Sequence, residues 1–264
     1  MKVARLRLAV LLLVLALPAR AAADPPRGGV VHVPRTPGES AVEHGYQLYA
    51  GNCSTCHGSR GEGITRKRAI RGASGQTGLG PALRGVGALA ADFYLRTGYM
   101  PLAQAAAQPH RGRVLFGDRE IRDLVAYVAT LGGPAIPTPH PERGNLADGL
   151  KLFAEHCAGC HQINAEGGYV TGALVPPLEH ATPVQIAEAV RIGPYLMPRF
   201  SKRQLSDAGV DSIIRYVEHT KHPTDKGGWA LGHVGPVPEG LVTWFIAMVA
   251  IVAACVVIGE RNES

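Results

Sequence analysis

Two five-residue stretches carry the densest chemistry in the chain. Cys53-Ser54-Thr55-Cys56-His57 recurs as Cys157-Ala158-Gly159-Cys160-His161, 104 residues later. Thiols three positions apart can each form a thioether to one of the two vinyl groups of a single haem. The histidine beside the second thiol then lies under the iron, with its imidazole free to ligate, so each stretch reads as a c-type haem attachment site. A bare C-x-x-C would suit zinc or a redox dithiol equally well, and the adjacent histidine in both copies weighs against those alternatives. Four of the five cysteines are used in this way. Cys255 is left in an apolar run, where it reads as a small hydrophobe rather than an acylation site.

A histidine alone leaves one face of each iron open, and the sixth ligand decides between electron transfer and chemistry on a small molecule. The chain has four methionines, Met1, Met100, Met197 and Met248. Met1 and Met248 lie in apolar terminal segments, which leaves two methionines for two haems. Each follows one haem motif, precedes that half's last helix and is itself followed by proline: Tyr99-Met100-Pro101 and Leu196-Met197-Pro198. This matched placement makes Met100 and Met197 candidate iron ligands opposite His57 and His161. His/Met ligation closes the iron and raises its potential. His44, His110, His156, His180 and His233 have no comparable placement and read as surface or capping residues.

Helices must deliver these residues. Ser40 with Glu43 is a capping box that starts a helix running to Cys53. Asp118 opens another, with Ile121, Leu124, Val125 and Val128 at helical spacing before Gly132-Gly133. The plan then repeats. Asn145 or Asp148 caps a helix to Cys157, and Gly45-Tyr-Gln-Leu-Tyr49 aligns with Gly149-Leu-Lys-Leu-Phe153. Thr182-Pro183 starts a further helix, and Val210, Ile213, Ile214 and Val217 mark the last one of the second half. Pro176-Pro177-Leu178 stands for Gly80-Pro81-Ala82-Leu83. The fold expected is mainly α, with domains at 40–133 and 145–222, joined by a proline-rich linker at 134–144.

The ends of the chain fix its setting. Residues 1–23 read as a secretory signal, with Lys2, Arg5 and Arg7 before a ten-residue uncharged run from Leu8 to Leu17, too short to span a bilayer. A Pro/Gly-rich tether covers 24–39, and a second such stretch covers 223–240. Residues 241–258 carry no charge and would make a helix of roughly 27 Å, a single transmembrane anchor with a cytoplasmic tail at 259–264. The formal charge of +6 invites a nucleic-acid reading. Without the four cations of residues 1–23, however, 23 basic face 21 acidic side chains, and haem propionates lower the charge further. No footprint for DNA or RNA remains. The basic run Arg60–Arg71 reads as a solvated loop or as a docking patch for an acidic partner.

The segments Gly45–Gly58, Gly80–Val86, Tyr99–Leu102, Asp123–Ile136, Leu152–His161, Gly193–Ser201 and Leu231–Leu241 together carry a resemblance. The chain resembles the dihaem cytochrome c subunit of the actinobacterial-type cytochrome bcc (bc1-like) complex, a menaquinol–cytochrome c reductase. That resemblance implies two tandem class I cytochrome c domains followed by one C-terminal transmembrane helix. It implies two covalent haems c, held by Cys53, Cys56, His57 and Met100 and by Cys157, Cys160, His161 and Met197. In class I cytochromes c a proline carbonyl accepts the second N–H of the iron-bound histidine, a role that falls here to Pro81 and Pro177. The implied partners are a Rieske iron–sulfur subunit, a cytochrome b subunit and an aa3-type cytochrome c oxidase. The implied location is the cell membrane, with the haem domains on the extracytoplasmic side. The insertion Gly72–Gly78 departs from the family pattern.

Two other functions compete. A dihaem peroxidase needs an iron that opens to peroxide, which two matched methionines disfavour. The dihaem subunit of another membrane oxidoreductase, such as a cbb3-type oxidase, remains open, although there the anchor precedes the haem domains.

Overall fold

The computed structural model describes residues 29–64, 80–102, 110–221 and 236–263. The predicted signal at 1–23, the run Arg66–Arg71 with its insertion, and residues 223–235 of the second Pro/Gly-rich stretch lie outside the described residues.

The first half contains α1 (Ala41–Asn52), α2 (Ser54–His57), α3 (Gly87–Arg96) and α4 (Asp118–Thr130). The Ser40/Glu43 capping box is formed in full at the start of α1. Helices α1 and α4 pack across each other at Gly45. A Cβ built there would lie 1.9 Å from the Asp123 carbonyl oxygen, so the two backbones touch because the side chain is missing. Leu48, Tyr49, Ile121, Leu124 and Val128 are buried around the crossing, with the Tyr49 and Tyr127 rings 5.0 Å apart.

The second half repeats this frame with α5 (Leu146–His156), α6 (Ala158–His161), α7 (Pro183–Ile192) and α8 (Asp207–Lys221). Asn145 caps α5 by accepting from Ala147 and Asp148. Thr182 and Gln185 form a capping box on α7, with Pro183 in its first turn. Gly149 takes the place of Gly45, since a Cβ there would lie 2.0 Å from the Ser212 carbonyl oxygen. Phe153 and Tyr216 pack with ring centroids 5.2 Å apart. An antiparallel hairpin, β1 (Gly168–Val170) and β2 (Ala173–Val175), follows α6. Nothing in the sequence pattern predicted it, because three-residue strands are too short to show a period of two.

The tether is held along residues 29–39. Val31 and Asn52 exchange two hydrogen bonds, of 2.7 and 2.9 Å, and Val30 and Val33 pack on the first core. This corrects the reading of His44, which is buried rather than a surface residue. Its Nδ1 lies 2.7 Å from the Asp123 carboxylate and its Nε2 lies 2.8 Å from the Val33 carbonyl. Both partners only accept, so both ring nitrogens donate, which is the imidazolium form. Burial pulls its pKa down, but the Val33 carbonyl and then Asp123 outweigh burial and hold it above the ordinary value. His110, His156 and His180 are exposed, as expected.

A contact joins the halves between α3 and α7. There Glu188 of α7 is fully buried. Neither carboxyl oxygen has a hydrogen-bond partner among the described residues. Burial, with Asp92 of α3 nearby, pushes its pKa up to about 8, and Arg96 only partly opposes this.

Helix α9 (Pro236–Glu263) has 28 residues, or roughly 42 Å at ~1.5 Å per residue. Its stretch Glu239–Glu260 is long and apolar enough to cross a membrane, and none of it is buried. The predicted span 241–258 lies inside it.

Candidate haem-attachment sites

Each C-x-x-C-H motif is one turn of helix. The amides of Cys56 and His57 both donate to the Cys53 carbonyl, at 3.1 and 2.9 Å, and those of Cys160 and His161 to Cys157, at the same two distances. On a helical turn, residues i, i+3 and i+4 share one face. The turn thus presents two thiols and an imidazole along one face, spread out as double thioether attachment with iron ligation requires rather than closed on one point as for a metal ion. All four thiols are free. Burial pushes Cys53 up to about 12 and Cys157 up to about 11. A redox dithiol needs the opposite shift. Among the described residues, no three His, Cys, Asp or Glu gather as a metal-ion cluster would require.

The chain then passes back over each motif. Ile64 bridges Gly80, and the Leu83 amide donates to the Gly61 carbonyl at 2.8 Å. A Cβ on Gly80 would lie 2.7 Å from the Cys56 carbonyl oxygen, so glycine lets this strand close down on the motif. His57 Nδ1 donates to the Pro81 carbonyl at 2.8 Å. A carbonyl cannot donate, so Nδ1 carries the proton, and in the neutral ring Nε2 keeps a free lone pair. Burial lowers the His57 pKa and favours that neutral ring.

In the second half the expectation for Pro177 is corrected. The Leu178 amide donates to Ala165 at 2.9 Å, as Leu83 does to Gly61. The proline two residues before the leucine is Pro176, and its carbonyl is the one that raises the basicity of His161. Aligning the Gly-Pro and Pro-Pro pairs misplaces this by one position, and the hydrogen bonds of the leucines set it right. His161 Nδ1 is buried and lies off good hydrogen-bond geometry in this structure, and burial again depresses its pKa.

Met100 follows α3 and Met197 follows α7, each part-buried and each on the segment leading to its half's last helix. The Met100 amide donates to the Tyr94 carbonyl at 3.1 Å and that of Met197 to Pro194 at 3.0 Å. Tyr99, beside Met100, stacks on Phe93 with centroids 5.9 Å apart.

Four thiols without disulfides and an imidazole beside each pair on a helical turn, the first of them oriented by the Pro81 carbonyl, fit haem c in both halves. Two tandem domains of this build, followed by one apolar helix, define a tandem-domain cytochrome c. The family model described as Cytochrome c matches residues 42–132, and the one described as cytochrome C oxidase, cbb3-type, subunit III matches residues 144–217. The chain is 33% identical over 243 residues to the cytochrome bc1 complex cytochrome c subunit of Corynebacterium diphtheriae, covering 85% of this chain and 82% of the relative. It is 36% identical over 228 residues to the subunit of that name in Mycobacterium tuberculosis, covering 83% and 77%. Similarity is lower, 28% over 201 residues, to the Cbb3-type cytochrome c oxidase subunit CcoP of Azospirillum brasilense, covering 68% and 62%. The chain belongs to the family of cytochrome c subunits of the cytochrome bc1 complex.

Proposed function

We propose that this chain is the electron-transfer subunit of a respiratory quinol–cytochrome c reductase. The observation that carries the proposal is the doubled motif turn with a backbone carbonyl behind each histidine, each half also supplying one part-buried methionine before its last helix. Cys53 and Cys56 would hold one haem by thioethers and Cys157 and Cys160 the other. His57 with Met100, and His161 with Met197, would be the axial ligands. Haem supplies a one-electron couple when bound. The chain itself supplies orientation: the Nδ1–H bond of His57 to the Pro81 carbonyl turns its Nε2 outward, the Pro176 carbonyl would do the same for His161, and burial favours both rings as neutral. With both irons closed, no substrate chemistry is expected from this chain alone. The enzyme activity belongs to the complex.

The family relationship supports the partners. A Rieske subunit fed from cytochrome b would donate electrons, and an aa3-type oxidase would accept them. The signal and α9 support a single-pass membrane protein with its haem domains outside and residues 259–264 inside. The match of 144–217 to a cbb3-type subunit favours a second reading, a dihaem subunit of an oxidase. Purification in mild detergent decides between them. Recovery with Rieske and cytochrome b subunits is expected, whereas repeated recovery with oxidase subunits alone would support the second reading.

The oxidised protein is expected to show the far-red sulfur-to-iron band of His/Met haem. Met100→Ala and Met197→Ala should each remove about half of it, because the halves are separate centres. A wild-type protein without the band would sink the ligand assignment.

A further inference from the structure

Both methionine segments are tied at their ends in the same way. Arg96 is the last residue of α3, and Arg191 lies in the last turn of α7. The two are 95 residues apart, the offset of the equivalent leucines, Leu83 and Leu178. Arg96 Nη1 donates to Asp118, the first residue of α4, at 2.7 Å. Arg191 Nη2 donates to Asp207, the first residue of α8, at 2.7 Å. Each arginine thus joins the helix before a methionine segment to the helix after it. Met100 follows the first of these arginines and Met197 the second, so each methionine lies between the two ends of one clasp.

Each arginine is anchored by its remaining donors. Arg96 Nε reaches both oxygens of buried Asp92, at 2.8 and 3.1 Å. Arg191 Nη1 donates to the carbonyls of Leu205, at 2.8 Å, and Phe200, at 3.3 Å. Phe200 stands three residues after Met197, and its amide donates to Val190 at 2.9 Å. Arg191 is only 12% exposed. Asp118 and Asp207 are exposed, and exposed ion pairs add little to stability, so their recurrence calls for another explanation. A guanidinium spreads its donors over Nε, Nη1 and Nη2, so it reaches acceptors on two sides that lie too far apart for the single nitrogen of an ammonium.

We propose that Arg96 and Arg191 are positioning residues, whose clasps on Asp118 and Asp207 hold the segments carrying Met100 and Met197 at the iron. This rests on the His/Met reading above. Without a clasp the segment gains freedom and its sulfur leaves the iron more often, while the histidine side is untouched.

The test uses the full-length holoprotein in detergent. The ferric far-red band and the affinity for added imidazole, which competes with methionine for iron, are measured alongside thermal unfolding. Arg191→Lys and Asp207→Asn should weaken the band and tighten imidazole binding several-fold, and Arg96→Lys and Asp118→Asn should do the same for the first centre. Asp118 and Asp207 are solvent-exposed, so their asparagine variants keep the test usable if an arginine variant fails to fold. Variants that melt earlier with band and imidazole affinity unchanged would overturn the proposal, leaving a structural role. A wild type without the band would overturn the ligand reading itself and this proposal with it.

Discussion

Replacing Gly149 with alanine should cost the protein its second haem, and Gly45→Ala its first. Two effects oppose each other at these positions. Alanine favours a helix over glycine by ~1 kcal/mol, which would stabilise α5 or α1. Against this, the added methyl would sit 2.0 Å from the Ser212 carbonyl oxygen or 1.9 Å from that of Asp123. The obstacle is backbone, so no rotamer change relieves it, and the helices must move apart. Separation would unpack Phe153 from Tyr216, or Tyr49 from Tyr127. Overpacking of a core costs ~1–3 kcal/mol even where side chains can shift. Here the loss should exceed about 4 kcal/mol, most of what a small domain has. Gly51→Ala is the control. It lies on the same helix as Gly45, but its Cβ would meet only Val31 at 3.5 Å, so the helix-propensity gain should prevail. Haem content per chain is the measurement: near one for G45A and G149A, two for G51A. Two haems with unchanged melting in G149A would refute the crossing argument.

Glu188→Gln should stabilise the protein at pH 8 and do so much less at pH 5. The carboxyl is buried between α3 and α7 with no hydrogen-bond partner among the described residues. Its folded pKa is raised to about 8, against about 4.3 in an unfolded chain. Below the lower value both states hold the proton and nothing is lost. Between the two values the unfolded chain releases the proton while the folded chain keeps it, so stability falls as pH rises and levels off above about 8. The fall is on the order of a few kcal/mol. Glutamine removes the ionisation, and with it that part of the slope. The groups facing Glu188 are Asp92, which opposes its ionisation, and Arg96, which favours it. His44 adds a slope of the same sign from elsewhere. Its raised pKa gives stability that is complete below about 6.5 and lost as pH rises through the folded value. Melting curves of the wild type and E188Q at pH 5 and 8 isolate the Glu188 share as the difference. An identical pH dependence in both proteins would show that Glu188 keeps its charge or lies in water.

Much of this was legible in the sequence because it is local. Ser40 with Glu43, and Thr182 with Pro183, start helices through contacts within one turn. The two C-x-x-C-H motifs are also single turns, so spacing alone put their thiols and histidines together. The rest depends on residues far apart in the chain. His44 looks like a surface histidine until Asp123 and Val33 close around it. Glu188 sits beside alanines on a helix whose burial is decided by the other half of the molecule. Pro176 and Pro177 are indistinguishable as residues, and only the pairing of Leu178 with Ala165 tells which of them stands where Pro81 does.

The spacing between equivalent residues in the two halves changes along the chain. From Gly45 to Gly61 the equivalents stand 104 residues apart. From Leu83 to Gly98 the distance is 95, and from Asp118 to Tyr127 it is 89. Within a helix or a motif turn the offset does not change. The first half therefore holds nine residues more between its haem motif and Pro81, and six more between Arg96 and Asp118. Length has been added only in connecting segments, while crossings, motif turns and clasps keep their register. A frame of this kind separates what binds the cofactor from what the surroundings meet. Each copy can acquire its own outer contour without re-solving the problem of its interior, and two centres built on one plan can face different neighbours.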